Sequence, residues 1–192
     1  MIGAIAGDII GSVFEFGGFK SEDFPLFTGA SDFTDDSVLT IATAEKLLTC
    51  GDYAALYRKW GRKYSDAGYG GRFRRWLAED SAGPYNSYGN GSAMRVSPVG
   101  FAFNTLVEVL AEARRSAEPT HNHPEGLKGA QATAAAVFLA RTGKSKKEIA
   151  DYIAAEFGYK LAESVAEIRG YYKFDESCQG TVPQAIVCFL ES

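Results

Sequence analysis

Apolar residues in this chain recur at the helical period, and no stretch alternates apolar and polar residues long enough for a half-buried strand. That disfavours sheet-based folds and points to an all-α architecture. With 192 residues, 46% hydrophobic and 23% charged, the chain has the size and composition of one globular domain over residues 1–192. No internal repeat, low-complexity tract or clear linker divides it. The net charge of −4 gives no electrostatic case for nucleic acid, which needs a clustered basic face. The short basic group Arg72-Phe73-Arg74-Arg75 reads as a solvated helix face. The N-terminus has no basic n-region, and Asp8 interrupts its apolar run, so neither a signal peptide nor a membrane span is expected. Cys50, Cys178 and Cys188 show neither metal spacing nor an even count, which suits free or buried thiols in a reducing cytoplasm.

The expected helices cover residues 2–15, a stretch after Thr34, residues 52–64, a run near 99–113, residues 126–141, a helix opened by the capping box Ser145-Lys146-Lys147-Glu148, about 160–170, and 184–190. Thr181 and Pro183 are expected to cap and begin the last of these. Gly3, Gly7 and Gly11 recur every fourth residue, a stripe that lets another backbone or a ligand approach closely. Residues 16–33 read as an ordered loop, and Gly68-Tyr69-Gly70-Gly71 breaks the helical pattern.

Chemistry concentrates in four places. Thr34-Asp35-Asp36-Ser37 sets two adjacent carboxylates at the head of an apolar helix. Capping and the helix dipole explain one acid there, while a hydroxyl and two carboxylates also offer three hard oxygen ligands to a Mg²⁺-type ion. Asp8 and Glu15 lie seven residues apart, about two helical turns, and flank Gly11. Each could meet a ligand or be a solvated surface acid. Asn86 to Arg95 is a polar, glycine-studded loop whose successive N–H groups suit phosphate oxygens, although Asn-Gly pairs are also strong turn formers. No Walker-type or dinucleotide fingerprint occurs. His121 and His123, the only histidines, sit in a turn before Pro124.

Taken in order, these segments resemble the ADP-ribosylglycohydrolase family, which includes the dinitrogenase reductase-activating glycohydrolases. Gly7-Asp8-Ile9-Ile10-Gly11-Ser12-Val13-Phe14-Glu15 resembles the opening motif, and Phe33-Thr34-Asp35-Asp36-Ser37 the first metal motif. Gly68-Tyr69-Gly70-Gly71, with Trp76 downstream, is similar to the next glycine segment. Gly89-Asn90-Gly91-Ser92-Ala93-Met94-Arg95 is similar to the substrate loop, and Thr120-His121 through Pro124 to the Thr-His-x-x-Pro turn.

The resemblance implies an orthogonal all-α fold with one or two Mg²⁺ or Mn²⁺ ions and hydrolysis of the glycosidic bond between ADP-ribose and a protein side chain or small molecule. It places Thr34, Asp35 and Asp36 on the metal and Glu15 as the catalytic or gating acid. Ser87, Tyr88, Gly89 and Asn90 would hold the diphosphate and ribose, with His121 nearby. The family pattern also includes a Gly-x-Asp-x-Asp-Thr motif that this sequence lacks, so a C-terminally truncated form is expected. The alternatives to an enzyme are a catalytically silent ADP-ribose-binding module and an interaction protein. Self-association or a protein partner is expected, with the helix near 182–190 at the contact.

Overall fold

The computed structural model describes all residues, Met1–Ser192. It is all-α, as expected: eleven helices, and a single antiparallel bridge between Gly89 and Ser177 as the sole strand-like pairing. No helix is long and apolar enough to cross a membrane. The helices fall into two compact units, Met1–Ala82 and Gly83–Ser192.

The first unit holds α1 (Ile2–Gly11), α2 (Asp35–Thr49), α3 (Tyr53–Lys63) and α4 (Gly71–Ala78). Helix α1 ends at Gly11, four residues before the expected end, and Ser12 to Gly18 form turns. Ser12 Oγ turns back onto the Ile9 carbonyl at 3.0 Å, a local bond that competes with continuing the helix. The glycine stripe meets no neighbour in this chain: a Cβ added at Gly3, Gly7 or Gly11 finds nothing within 4 Å.

Helix α2 buries Val38, Leu39, Thr40, Ala42 and Thr43 and packs on α3, where Thr43 and the fully buried Tyr57 share a hydrogen bond of 3.2 Å. Helix α4 forms directly at the end of the glycine cluster and carries the basic face expected at residues 72–75. Burial of Phe73, Trp76 and Leu77 outweighs the glycine penalty, while Arg72, Arg74 and Arg75 stay exposed, as a solvated face should. The two helices meet closely at Gly61, whose missing side chain leaves room for Leu77. Residues 16–33 carry no helix; Phe14, Phe19 and Phe24 hold the segment through ring contacts of 4.5–5.9 Å.

The second unit is built on α8 (Pro124–Arg141), which packs against α5 (Gly91–Met94), α6 (Ser97–Ala102), α7 (Leu106–Ala117), α9 (Lys146–Phe157) and α11 (Cys178–Glu191). Its buried alanines at 130, 132, 134, 135 and 136 leave a slim helix that many others can approach. The run expected near 99–113 is two helices, because Thr105 accepts from the Glu108 amide and starts α7 afresh after Phe103 turns extended. The capping box at Ser145 and Glu148 is present at the head of α9, and Ser164 with Glu167 makes a second one at α10 (Val165–Tyr171).

Helix α11 starts at Cys178, not near Gln184. Ser177 caps it by accepting from the Gly180 amide, and Pro183 lies inside, buried. Proline there removes one helical bond, and the packing of Val182, Ile186 and Val187 holds the helix through it. That face of α11 is covered by its own unit, so the expected contact near 182–190 retains Ala185, Cys188 and Phe189 as exposed groups. The larger group of exposed hydrophobics is Ile2, Phe16, Phe19, Leu26, Phe27 and Phe33. All three cysteines are free thiols.

Candidate functional site: an acidic helix start and a clamped polar loop

In the first unit, the start of α2 carries an unusual density of negative charge. Thr34 has extended backbone and accepts from the Asp36 amide at 3.3 Å, the capping role expected for it. Asp8 grips the same helix start from α1. Its Oδ1 accepts from Thr34 Oγ1 at 2.6 Å, and its Oδ2 accepts from the amides of Thr34 at 2.9 Å and Ser37 at 3.1 Å. Asp8 is therefore neither a solvated acid nor simply a ligand-facing one. It holds the turn that presents Asp35 and Asp36.

Those two acids are under electrostatic load. Burial, then the charges of Asp36 and Glu15, push Asp35 up to about 7, and Asp8 adds to it. Burial, then Asp8 and Glu15, push Asp36 up to about 6, against the lowering bond from Thr34. Glu15 thus joins the cluster electrostatically, although it sits exposed on the turn after α1 and not on a continuous helical face with Asp8. Gly68 backs onto the same place: at φ +96°, a Cβ there would lie 3.8 Å from Asp35 Oδ1. The buried Tyr69 is pushed upward by desolvation first and by Asp35 second.

The donor chemistry suits a hard divalent cation: hydroxyl and carboxylate oxygens, mutual repulsion that a cation would relieve, and a buried Ser37 Oγ with no hydrogen-bond partner beside them. The geometry is not a ready-made cage, since no three His, Cys, Asp or Glu side chains converge as a metal-holding group.

In the second unit, the loop 86–91 is clamped by two distant segments. On one side the Asn86 amide donates to Asn122 Oδ1 at 2.8 Å and the Ser87 amide to the Thr120 carbonyl at 3.3 Å. On the other the Asn90 amide donates to the Glu176 carbonyl at 2.7 Å, and the Cys178 amide to the Tyr88 carbonyl at 2.9 Å. Gly89 N–H turns onto Ser87 Oγ at 3.1 Å. The amides of Ser87, Gly89 and Asn90 are thus committed to protein acceptors and do not form the row of N–H groups that the sequence suggested. Tyr88 is half exposed, with its ring edge-on to His123 at 5.4 Å.

His121 is buried beside this loop, its Nε2 lying 3.1 Å and 3.6 Å from where Cβ atoms on Gly91 and Gly89 would be. Both glycines give the imidazole its space. Its other nitrogen, Nδ1, is 2.7 Å from Thr120 Oγ1, which accepts from the buried Arg95 guanidinium at 2.9 Å. In the sequence, Thr120 and Arg95 stand out only as members of longer motifs. Their isolated positions carry no local signal of a shared role.

The sequence matches the ADP-ribosylglycohydrolase family model over residues 1–192. It is 30% identical over 183 residues to ADP-ribosylhydrolase ARH3 of Bos taurus, covering 77% of this chain and 50% of that protein. The corresponding protein of Mus musculus is 31% identical with the same coverage, and that of Homo sapiens 33% identical over 140 residues, 63% of this chain and 39% of the relative. The chain spans about half the length of the curated relatives it matches. A solved structure described as an ADP-ribosylglycohydrolase-related protein complex superposes with a TM-score of 0.72 at 23% identity, over 98% of this chain and 72% of that one, which shows the shared fold. Sequence and fold agree, and the chain belongs to the ADP-ribosylglycohydrolase family.

Proposed function

We propose that this chain binds ADP-ribose and takes part in Mg²⁺- or Mn²⁺-dependent hydrolysis of its glycosidic bond to a protein side chain or small molecule. The observation that carries the reading is the acid pair itself: Asp8 and Thr34 fix the helix start that sets Asp35 and Asp36 side by side, where burial and neighbouring carboxylates raise both. Thr34, Asp35 and Asp36 would hold the ion, one per chain from this donor set. A bound divalent ion supplies Lewis-acid stabilisation of charge as the glycosidic bond breaks. Glu15 would move the proton, since its carboxylate sits within electrostatic reach of the pair and is open to solvent. Ser87, Tyr88, Gly89, Asn90 and His121 would hold the diphosphate and ribose, chiefly through side-chain donors.

A second reading, recognition of ADP-ribose without turnover, is favoured by the incomplete metal cage. One comparison separates the two. Glu15→Gln should leave the Mg²⁺ titration, followed by calorimetry, nearly intact and abolish release of ADP-ribose from a modified protein. No turnover in the parent chain, with Mg²⁺ and ADP-ribose still bound, would establish the binding module. Absence of ADP-ribose binding would overturn both readings.

Self-association is part of the same proposal, with the exposed apolar residues between Ile2 and Phe33 as the larger contact surface. Light scattering is expected to give a mass above that of one chain, and Phe16→Ser with Phe27→Ser to lower it. A monomer at high concentration would remove this element. The free thiols suit a reducing compartment such as the cytoplasm.

A further inference from the structure

Thr120 is fully buried, so its hydroxyl proton must go to a protein acceptor. Its oxygen has two polar side-chain neighbours: Arg95 Nη2 at 2.9 Å and His121 Nδ1 at 2.7 Å. A guanidinium only donates. The same Nη2 also donates to the Ser116 carbonyl at 2.9 Å, which fixes its two hydrogens, one on each acceptor. One lone pair of Thr120 Oγ1 is thereby taken, and the hydroxyl hydrogen has Nδ1 as its acceptor. The imidazole must then carry its own hydrogen on Nε2, the atom beside Gly89 and Gly91.

We infer that Arg95 and Thr120 are positioning residues that fix His121 in its Nε2–H tautomer, making it a directed hydrogen-bond donor to an anionic oxygen held over loop 86–91. This rests on the reading of that loop as the diphosphate-binding element. It explains how the loop serves a polyanion when its amides at Ser87, Gly89 and Asn90 are engaged elsewhere. The reverse tautomer would place a lone pair on Nε2 against the ligand's oxygen and leave the Thr120 hydrogen without an acceptor.

The test is the ring ¹⁵N spectrum of His121, taken in a His123→Gln background so that one imidazole remains. The expected pattern has Nδ1 unprotonated and Nε2 protonated. Thr120→Ser should keep that pattern and the affinity for ADP-ribose. Thr120→Val should shift the tautomer balance and weaken ADP-ribose by about tenfold, the size of one charge-supported hydrogen bond. A Nδ1–H pattern in the parent, or an unchanged pattern in Thr120→Val, overturns the inference. If Thr120→Val fails to fold, the parent and Thr120→Ser spectra still decide it. If the tautomer is as expected and the parent does not bind ADP-ribose, the relay stands and the reading of the loop falls.

Discussion

In EDTA at pH 8, Asp35→Asn is expected to melt at a higher temperature than the parent chain, and to lose the rise that Mg²⁺ gives the parent. The Asp35 carboxyl is raised from 3.8 to about 7 by burial and by Asp36, Glu15 and Asp8. An acid whose folded value lies above its unfolded value contributes stability at low pH that is lost as pH rises between the two. The advantage of Asn should therefore be absent near pH 4, grow up to about pH 7 and be constant above. The full shift corresponds to about 4 kcal/mol. Partial solvent access and the lost helix-start charge reduce the expected gain to on the order of 2 kcal/mol. Asp36 is raised for overlapping reasons, so the gains from replacing both acids should not add. Thermal melts of both chains at pH 5 and pH 8, with and without Mg²⁺, check this. Equal Mg²⁺ responses in the two would leave Asp35 a helix-capping acid and nothing more.

Gly126→Ala should fail where helix propensity alone would predict a gain of about 1 kcal/mol. A Cβ at this position in the first turn of α8 would stand 2.6 Å from the Ser87 carbonyl oxygen and 3.1 Å from His121 Cβ. The Ser87 group is backbone, in a loop already fixed on both sides, so it cannot yield as a flexible side chain would. Overpacking of this kind costs about 1–3 kcal/mol, enough to cancel the propensity term. The larger effect falls on recognition, because the loop and His121 are displaced together. ADP-ribose affinity should fall by about tenfold or more, about 1.4 kcal/mol, at a concentration where the variant is still folded. Calorimetry beside a melting curve measures both. A more stable variant with parental affinity would show that the loop has slack the close contacts deny.

What the sequence reveals is what local chemistry decides. The Thr34 cap and the Ser145–Glu148 capping box are read correctly because each is a local bond with no rival signal beside it. The end of α1 and the start of α11 are read wrongly, and α4 is seen only as a short basic helix face, because opposing preferences meet at each. At α1 the Ser12 hydroxyl competes with continuation of the helix, at α11 the Ser177 cap prevails over Thr181, and at α4 burial of Phe73 and Trp76 outweighs the preceding glycines. The candidate site divides the same way. Asp35 and Asp36 announce themselves as adjacent carboxylates, while the support from Asp8 comes from 26 and 29 residues away. Arg95 reaches Thr120 across 25 positions. Long-range pairing of this sort leaves no period and no spacing rule in one sequence.

The clamp on loop 86–91 also sets an order of events during folding. The bonds Asn90 to Glu176 and Cys178 to Tyr88 tie the loop to the start of α11, almost ninety residues further on, and Cys178 Sγ reaches the Gly89 carbonyl as well. Closing so long a loop is entropically expensive and comes late, after local helices have formed. A growing chain on the ribosome can complete the acidic start of α2 long before residue 178 has been synthesised, and cannot yet complete this loop. The loop can therefore take its final form only after the start of α11 is in place.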